Sequence, residues 1–146
     1  MSLFKKILVA VDLGDLTSSK LVLKAGLELT DDTQMLNVVC VVPDYGMSVV
    51  GSFFPEGHEK EALEQAQEAL HKFTEENVPA GHPVQHIIAH GNIYEEIIDA
   101  AEKVGADAIV IGSHRPKLKD YLLGPNAARV VRHAEQSVLV VRTTER

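Results

Sequence analysis

The chain of 146 residues holds one cysteine, no tryptophan, and aromatics amounting to only 5% of its length. Cys40 sits alone inside the apolar run VVCVV. No intramolecular disulfide framework is therefore available, and the residue reads as a small buried hydrophobe suited to a reducing cytoplasm. A reactive thiol at that position would need exposure. With few aromatics and 45% hydrophobic residues, the core must be built from Val, Ile, Leu and Ala, the composition of a parallel sheet buried on both faces.

Long apolar runs are missing too. None approaches the roughly 20 residues that cross a bilayer, and the N-terminus lacks the charged and apolar regions of a signal peptide. The expectation is a cytoplasmic protein with no membrane partner. Basic runs stop at the Lys5-Lys6 pair and the formal charge is −7, so a nucleic-acid partner is not expected either. No glycine-rich run carries the phosphate-binding lysine at Walker spacing, and no Ser/His/Asp set has an elbow motif, which disfavours an efficient hydrolase. At this length the chain reads as one domain, residues 1–146, able to bury roughly 68–70% of its unfolded surface.

What is present is an alternation. Ile7-Leu8-Val9-Ala10-Val11 is too short for a buried helix and reads as a central strand ending at Asp12. Asp15, Thr17 or Ser18 can cap a following helix in which Leu21, Ala25 and Leu29 recur at helical spacing, with Val22 and Leu23 widening the stripe. Met35 to Val42 is a second strand, with Pro43 expected just past its end. Residues 43–57 form a loop long enough to be suspected of function. A helix from about His58 to Glu76 presents Ala62, Ala66, Ala69, Leu70 and Phe73 inward. Val84 to Ala89 reads as strand three, His90-Gly91-Asn92 as a strand-to-helix turn, and Ile93, Ile97, Ala100 and Ala101 mark a helix stopped by Gly105. Ala108 to Ile111 is strand four, a helix runs from about Asn126 to His133, and Ser137 to Val141 is strand five.

Strands alternating with helices give successive right-handed βαβ crossovers, hence an α/β fold with one open five-stranded parallel sheet, Rossmann-like, covered on both faces. Ligands of such sheets bind outside the carboxyl ends of the strands, where strand order reverses. Three turns belong to that edge: Asp12-Leu13-Gly14, His90-Gly91-Asn92, and the stretch GSHRPKLKDYLLGPN from Gly112 to Asn126. The last is bounded by glycines and leads into a helix, so its backbone N–H groups and the helix dipole offer a seat to an anion such as phosphate. Glycine-bounded turns also arise for geometric reasons alone.

Other histidines carry less. His82, His86 and His90 are spaced four apart in a strand, about 13 Å, whereas Zn²⁺ ligand bonds are ~2 Å, so a shared metal is not expected. His133 reads as packing or as compensation of a helix C-terminus. His114, in the cleft loop, is the best functional histidine.

Ile7-Leu8-Val9-Ala10-Val11-Asp12, His90-Gly91-Asn92, Ile111-Gly112-Ser113-His114, Leu122-Leu123-Gly124 and Ser137-Val138-Leu139-Val140-Val141-Arg142 together resemble the universal stress protein family over essentially the whole chain. Nucleotide-binding members of that family follow a glycine, two residues, a second glycine, nine residues, and then Gly-Ser or Gly-Thr. Here Gly112 and Gly124 are kept, but Arg115 stands where the second glycine belongs, only eight residues precede Gly124, and Pro125 replaces Ser or Thr. The pattern resembles a subgroup of small bacterial members. The resemblance implies an adenine nucleotide alpha hydrolase-like fold. It also implies a site for ATP or another adenine nucleotide, with or without Mg²⁺, formed by Ala10, Val11, Asp12, Val41, Gly91, Asn92, Ile111, Gly112, Ser113, His114, Arg115, Gly124, Pro125 and Asn126.

Within that site, Asp12 would meet the base or ribose, and the Val41 backbone the adenine. Gly112, Ser113 and His114 would lie along ribose and phosphates, with Gly124, Pro125 and Asn126 at the helix start. Asp12 as a helix cap, and Arg115 as a solvated charge rather than a phosphate ligand, stay open. Also implied is a homodimer through strand 137–141, a stress-response module acting through conformation or partners. A nucleotide-free dimeric interaction protein and a slow ATPase or autophosphorylating protein are the alternatives.

Overall fold

The structure is a computed structural model describing residues 3–43, 58–113 and 124–143. In chain order it contains β1 (Ile7–Val11), α1 (Leu16–Leu29), β2 (Leu36–Pro43), α2 (His58–Asn77), β3 (Val84–Gly91), α3 (Ile93–Val104), β4 (Ala108–Gly112), α4 (Pro125–His133) and β5 (Ser137–Val141). The strands form one sheet in the order β3-β2-β1-β4-β5, and every pairing is parallel. β1 is the pivot: the chain builds outward on one side through β2 and β3, then crosses to the other side for β4 and β5. Order therefore reverses between β1 and β4, where crevices open at the carboxyl ends of strands.

Alternate residues of each strand feed two cores. Ile7, Val9, Val11, Leu36, Val38 and Val110 pack with Val22 and Leu23 of α1 and Leu70 and Phe73 of α2. On the other face Leu8, Ala10, Val39, Ile109 and Ile111 pack with Ile97, Ala100 and Ala101 of α3 and with Ala127 and Val130 of α4. β1 is buried at all of its positions because helices cover it on both sides.

The helix faces differ from the sequence reading in two places. In α1 the buried positions are Ser18, Ser19, Val22, Leu23 and Gly26, while Leu21 is 44% exposed. Small residues let α1 approach β1 closely: a Cβ placed on Gly26 would lie 2.4 Å from Val9 Cγ2. In α2 the buried stripe includes Leu70, Phe73 and Thr74, and Ala69 faces solvent instead of the sheet.

Strand ends are also longer than expected. β2 starts at Leu36, with Met35 exposed, and runs through Pro43, which is in register with Gly91 of β3. His90 and Gly91 accordingly belong to the strand, leaving Asn92 alone as the turn and as the cap of α3, its side chain accepting from the Glu95 N–H. α3 ends on Gly105 at φ 70°, the left-handed conformation a glycine stop supplies.

Two of the histidines singled out above make ring contacts among the described residues. His86 of β3 stacks on His71 of α2 with ring centroids 3.7 Å apart, and its Nε2 lies 2.6 Å from Thr74 Oγ1. His133 tilts against Tyr94, whose ring also carries the Arg129 guanidinium at 5.4 Å. His114 lies outside the described residues.

Candidate functional site

A cleft of about 670 Å³ opens at the carboxyl edge of the sheet, in the size range of small-molecule sites. Its walls come from the end of β1 (Ala10, Val11) and Asp12 just beyond it, from the end of β4 (Ile111, Gly112), from the starts of α1 and α4, and from Val39 and Val41 of β2. The topological switch point thus coincides with the cavity.

One end of the cleft is built by the turn after β1. The Asp12 N–H donates to Ser19 Oγ at 3.0 Å, and the Ser19 hydroxyl donates back to the Asp12 carbonyl at 2.7 Å. That carbonyl also accepts from the Asp15 N–H at 3.0 Å, and Asp12 Oδ1 accepts from the Gly14 N–H at 2.9 Å. Asp12 itself is exposed at the mouth of the cleft. Its alternative role as the helix cap falls to Asp15, whose carboxylate accepts from the Ser18 N–H and from the Ser18 hydroxyl. The positive end of the α1 dipole is therefore already occupied by a carboxylate.

The other end differs. α4 begins on Gly124, whose side gives no cap hydrogen bond, with Pro125 at the first helical position. The proline lacks an N–H that would be unpaired there anyway, and its φ already suits the helix. The Gly124 N–H donates to the Ser113 carbonyl at 3.1 Å and the Ala128 N–H donates to the Gly124 carbonyl. Asn126 and Ala127 complete the first turn and line the cleft. Among the described residues the cleft thus has a carboxylate pole at Asp12 and Asp15 and an uncapped helix start at Gly124 to Ala127.

Of the residues expected at the site, the structure brings Ala10, Val11, Asp12, Val41, Ile111, Gly112, Gly124, Pro125 and Asn126 together. Gly91 and Asn92 do not line the cleft, because β3 extends past the expected turn; Ile93 and Ile97 of α3 line it instead. Ser113 is a clasp rather than a wall. It is 5% exposed, its N–H donates to the Val141 carbonyl, and its Oγ accepts from the Thr143 N–H at 3.4 Å. His114 and Arg115 lie outside the described residues.

Gly14 of the expected Asp12-Leu13-Gly14 turn lines the cleft, whereas Asp15, Ser18, Ser19, Val22, Val39, Ile93, Ile97 and Ala127 were not foreseen as lining. Cys40 is 7% exposed beside the site, and burial pushes its thiol up to about 11, leaving a protonated, poorly nucleophilic group.

The universal stress protein family model matches residues 3–142. The chain belongs to the universal stress protein family. Among characterised relatives it is similar to universal stress protein G of Shigella flexneri, 32% identical over 146 residues, covering 96% of this chain and 100% of that one. It is also similar to universal stress protein MJ0531 of Methanocaldococcus jannaschii, 33% identical over 97% of this chain and 84% of the relative.

Among solved structures, MJ0577 superposes on this family member with a TM-score of 0.78 at 26% identity, covering 97% and 99% of the two chains. A universal stress protein in complex with cAMP superposes with a TM-score of 0.60 at 19% identity, covering 97% and 98%. That identity carries the fold alone.

Proposed function

We propose that this universal stress protein is a cytoplasmic module that binds an adenine nucleotide, ATP or AMP, weakly in the cleft between β1 and β4. On this reading it passes its occupancy on as a homodimer, through conformation or partners rather than turnover. The observation that carries the reading is the contrast between helix starts lining one cleft: α1 is capped by Asp15, whereas α4 opens on Gly124 and Pro125 without a side-chain cap. An anion seated at α4 completes that turn. Such contacts contribute about 0.3–1 kcal/mol when exposed and up to ~2 kcal/mol when partly buried. Apolar walls from Val39, Val41, Ile93, Ile97 and Ile111 offer a base its hydrophobic contact.

Weakness follows from the sequence leading from β4 into α4. Pro125 removes one donor and the motif glycine is replaced by Arg115. Losing one or two charge-assisted hydrogen bonds, roughly 1.5–3 kcal/mol each, moves an ATP-sized ligand from the micromolar range toward millimolar. Where Mg²⁺ accompanies the ligand, Asp12 and Asp15 are the carboxylates among the described lining residues.

The sheet order supports a dimer. β5 is an edge strand with Leu139 42% exposed, and pairing it with its copy satisfies the free edge by a two-fold interface. Calorimetry with ATP and Mg²⁺ on purified protein tests the nucleotide reading: weak saturable heat is expected. No heat and no thermal shift at millimolar ATP would leave a nucleotide-free dimeric interaction protein, the reading that the carboxylate pole of the cleft favours.

A further inference from the structure

The Ser19 N–H closes the first turn of α1 on the Asp15 carbonyl at 3.0 Å, but its hydroxyl serves a residue seven positions earlier. Ser19 is 2% exposed, accepts from the Asp12 N–H and donates to the Asp12 carbonyl. Asp12 is the first residue beyond β1, where the parallel ladders with β2 and β4 have ended and its backbone has lost strand partners. The serine thus stands in for a neighbouring strand. Its two bonds, with the Asp15 N–H on the same carbonyl, fix the peptide groups on either side of Asp12. The Gly14 N–H then holds one carboxylate oxygen, and the second oxygen of this exposed side chain has no hydrogen bond among the described residues.

Resting on the nucleotide reading above, we infer that Ser19 is a positioning residue for ligand selection: by clamping the backbone of Asp12 it holds the free carboxylate oxygen where it accepts a neutral donor, a hydroxyl or amine, from the nucleoside end of the ligand. The cleft is polarised by this arrangement. The carboxylate pole repels phosphate and takes donors, while phosphate is left to the uncapped start of α4, so a nucleotide enters in one orientation. Ser18, the adjacent buried serine, has a different task, because its hydroxyl and N–H both serve the Asp15 cap.

A double-mutant cycle on ATP affinity, read by calorimetry, separates positioning from mere structure. If Ser19 acts through Asp12, then S19A and D12A each weaken ATP, by about tenfold for one charge-assisted hydrogen bond. S19A/D12A then binds no worse than D12A. Multiplying effects in the double variant overturn the inference, as does S19A that loses thermal stability yet keeps parental affinity. A ligand-free readout accompanies it: hydrogen exchange of the Gly14 amide, followed by NMR, should accelerate in S19A because the Asp12 carboxylate no longer stays on it. An unchanged Gly14 rate overturns the positioning role whatever the parent binds. Absence of ATP binding by the parent overturns the nucleotide reading itself.

Discussion

Gly26→Ala is the most direct probe of how α1 delivers Asp15, Ser18 and Ser19 to the cleft. The new Cβ would stand 2.4 Å from Val9 Cγ2, against the 3.4–4 Å of ordinary contact, so about 1 Å of separation must be found. Val9 cannot give it. It is fully buried on the central strand, in register with Val38 on one side and Val110 on the other, and its β-branched side chain has little rotamer freedom.

The overpacking cost is typically 1–3 kcal/mol, offset by the roughly 0.5–1 kcal/mol that alanine gains over glycine inside a helix. A misfit of about 1 Å against a buried, stiff side chain belongs to the upper half of that cost, so the net is about 1–2.5 kcal/mol of destabilisation, or roughly 2–10 °C in melting temperature for a domain of this size. Thermal and urea unfolding followed by circular dichroism measure it. The clash is specific, so Val9→Ala in the same chain should relieve it. The double variant is expected to be more stable than the sum of the single effects by about 0.5–3 kcal/mol. A Gly26→Ala protein as stable as the parent, or additive behaviour with Val9→Ala, would refute the close-approach reasoning.

Two further outcomes follow from other parts of the structure. Burial, and secondarily His71, hold the pKa of His86 below its ordinary 6.5; the native state then takes up the proton later than the unfolded chain, so the stabilisation is complete above about pH 6.5 and is lost as pH falls below it. Denaturant unfolding between about pH 7.5 and pH 5.5 should show this loss in the parent and less of it in His86→Gln, which keeps a donor for Thr74 but cannot titrate; equal losses would contradict the account. Leu139→Lys puts a charge on the exposed edge of β5 and should convert a dimeric parent to a monomer by light scattering, and either a monomeric parent at micromolar concentration or a variant that dimerises equally well removes the strand-five interface.

The fold was legible because β1, β4 and β5 are short, mostly apolar runs bounded by turn residues, too short for a buried helix. The misplaced helix positions share one cause. Leu21 and Ala69 were assigned inward by hydrophobic character at helical spacing, whereas in α1 the close approach of Gly26 to Val9 turns another face toward the sheet. The ends of β2 and β3 were drawn short because Pro43 and Gly91 read locally as strand breakers. They stay in the sheet because the β2–β3 register runs unbroken from Leu36↔Val84 to Pro43↔Gly91, and Gly91 can hold φ 140° at the last pairing.

The site was half legible for a different reason. Asp12, Gly112 and Gly124 announce themselves as polar or glycine residues at strand-to-helix turns, but Ile93, Ile97, Val39 and Ala127 are indistinguishable in sequence from the core they adjoin. Only the crossover between β1 and β4 turns those side chains toward a cavity. Ser19 lies seven residues from the backbone it clamps and leaves no local signal. Gly112 carries the sharper lesson. A Cβ there would meet Val22 Cγ2 at 3.1 Å and Thr143 Cγ2 at 3.2 Å, so packing of β4 between α1 and the chain leaving β5 favours a missing side chain without any ligand. A family member that had lost its ligand would still have a packing reason to keep that glycine. The discriminating information in this cleft therefore lies less in its glycines than in the carboxylate pole held by Ser19 and the helix start left uncapped at Gly124.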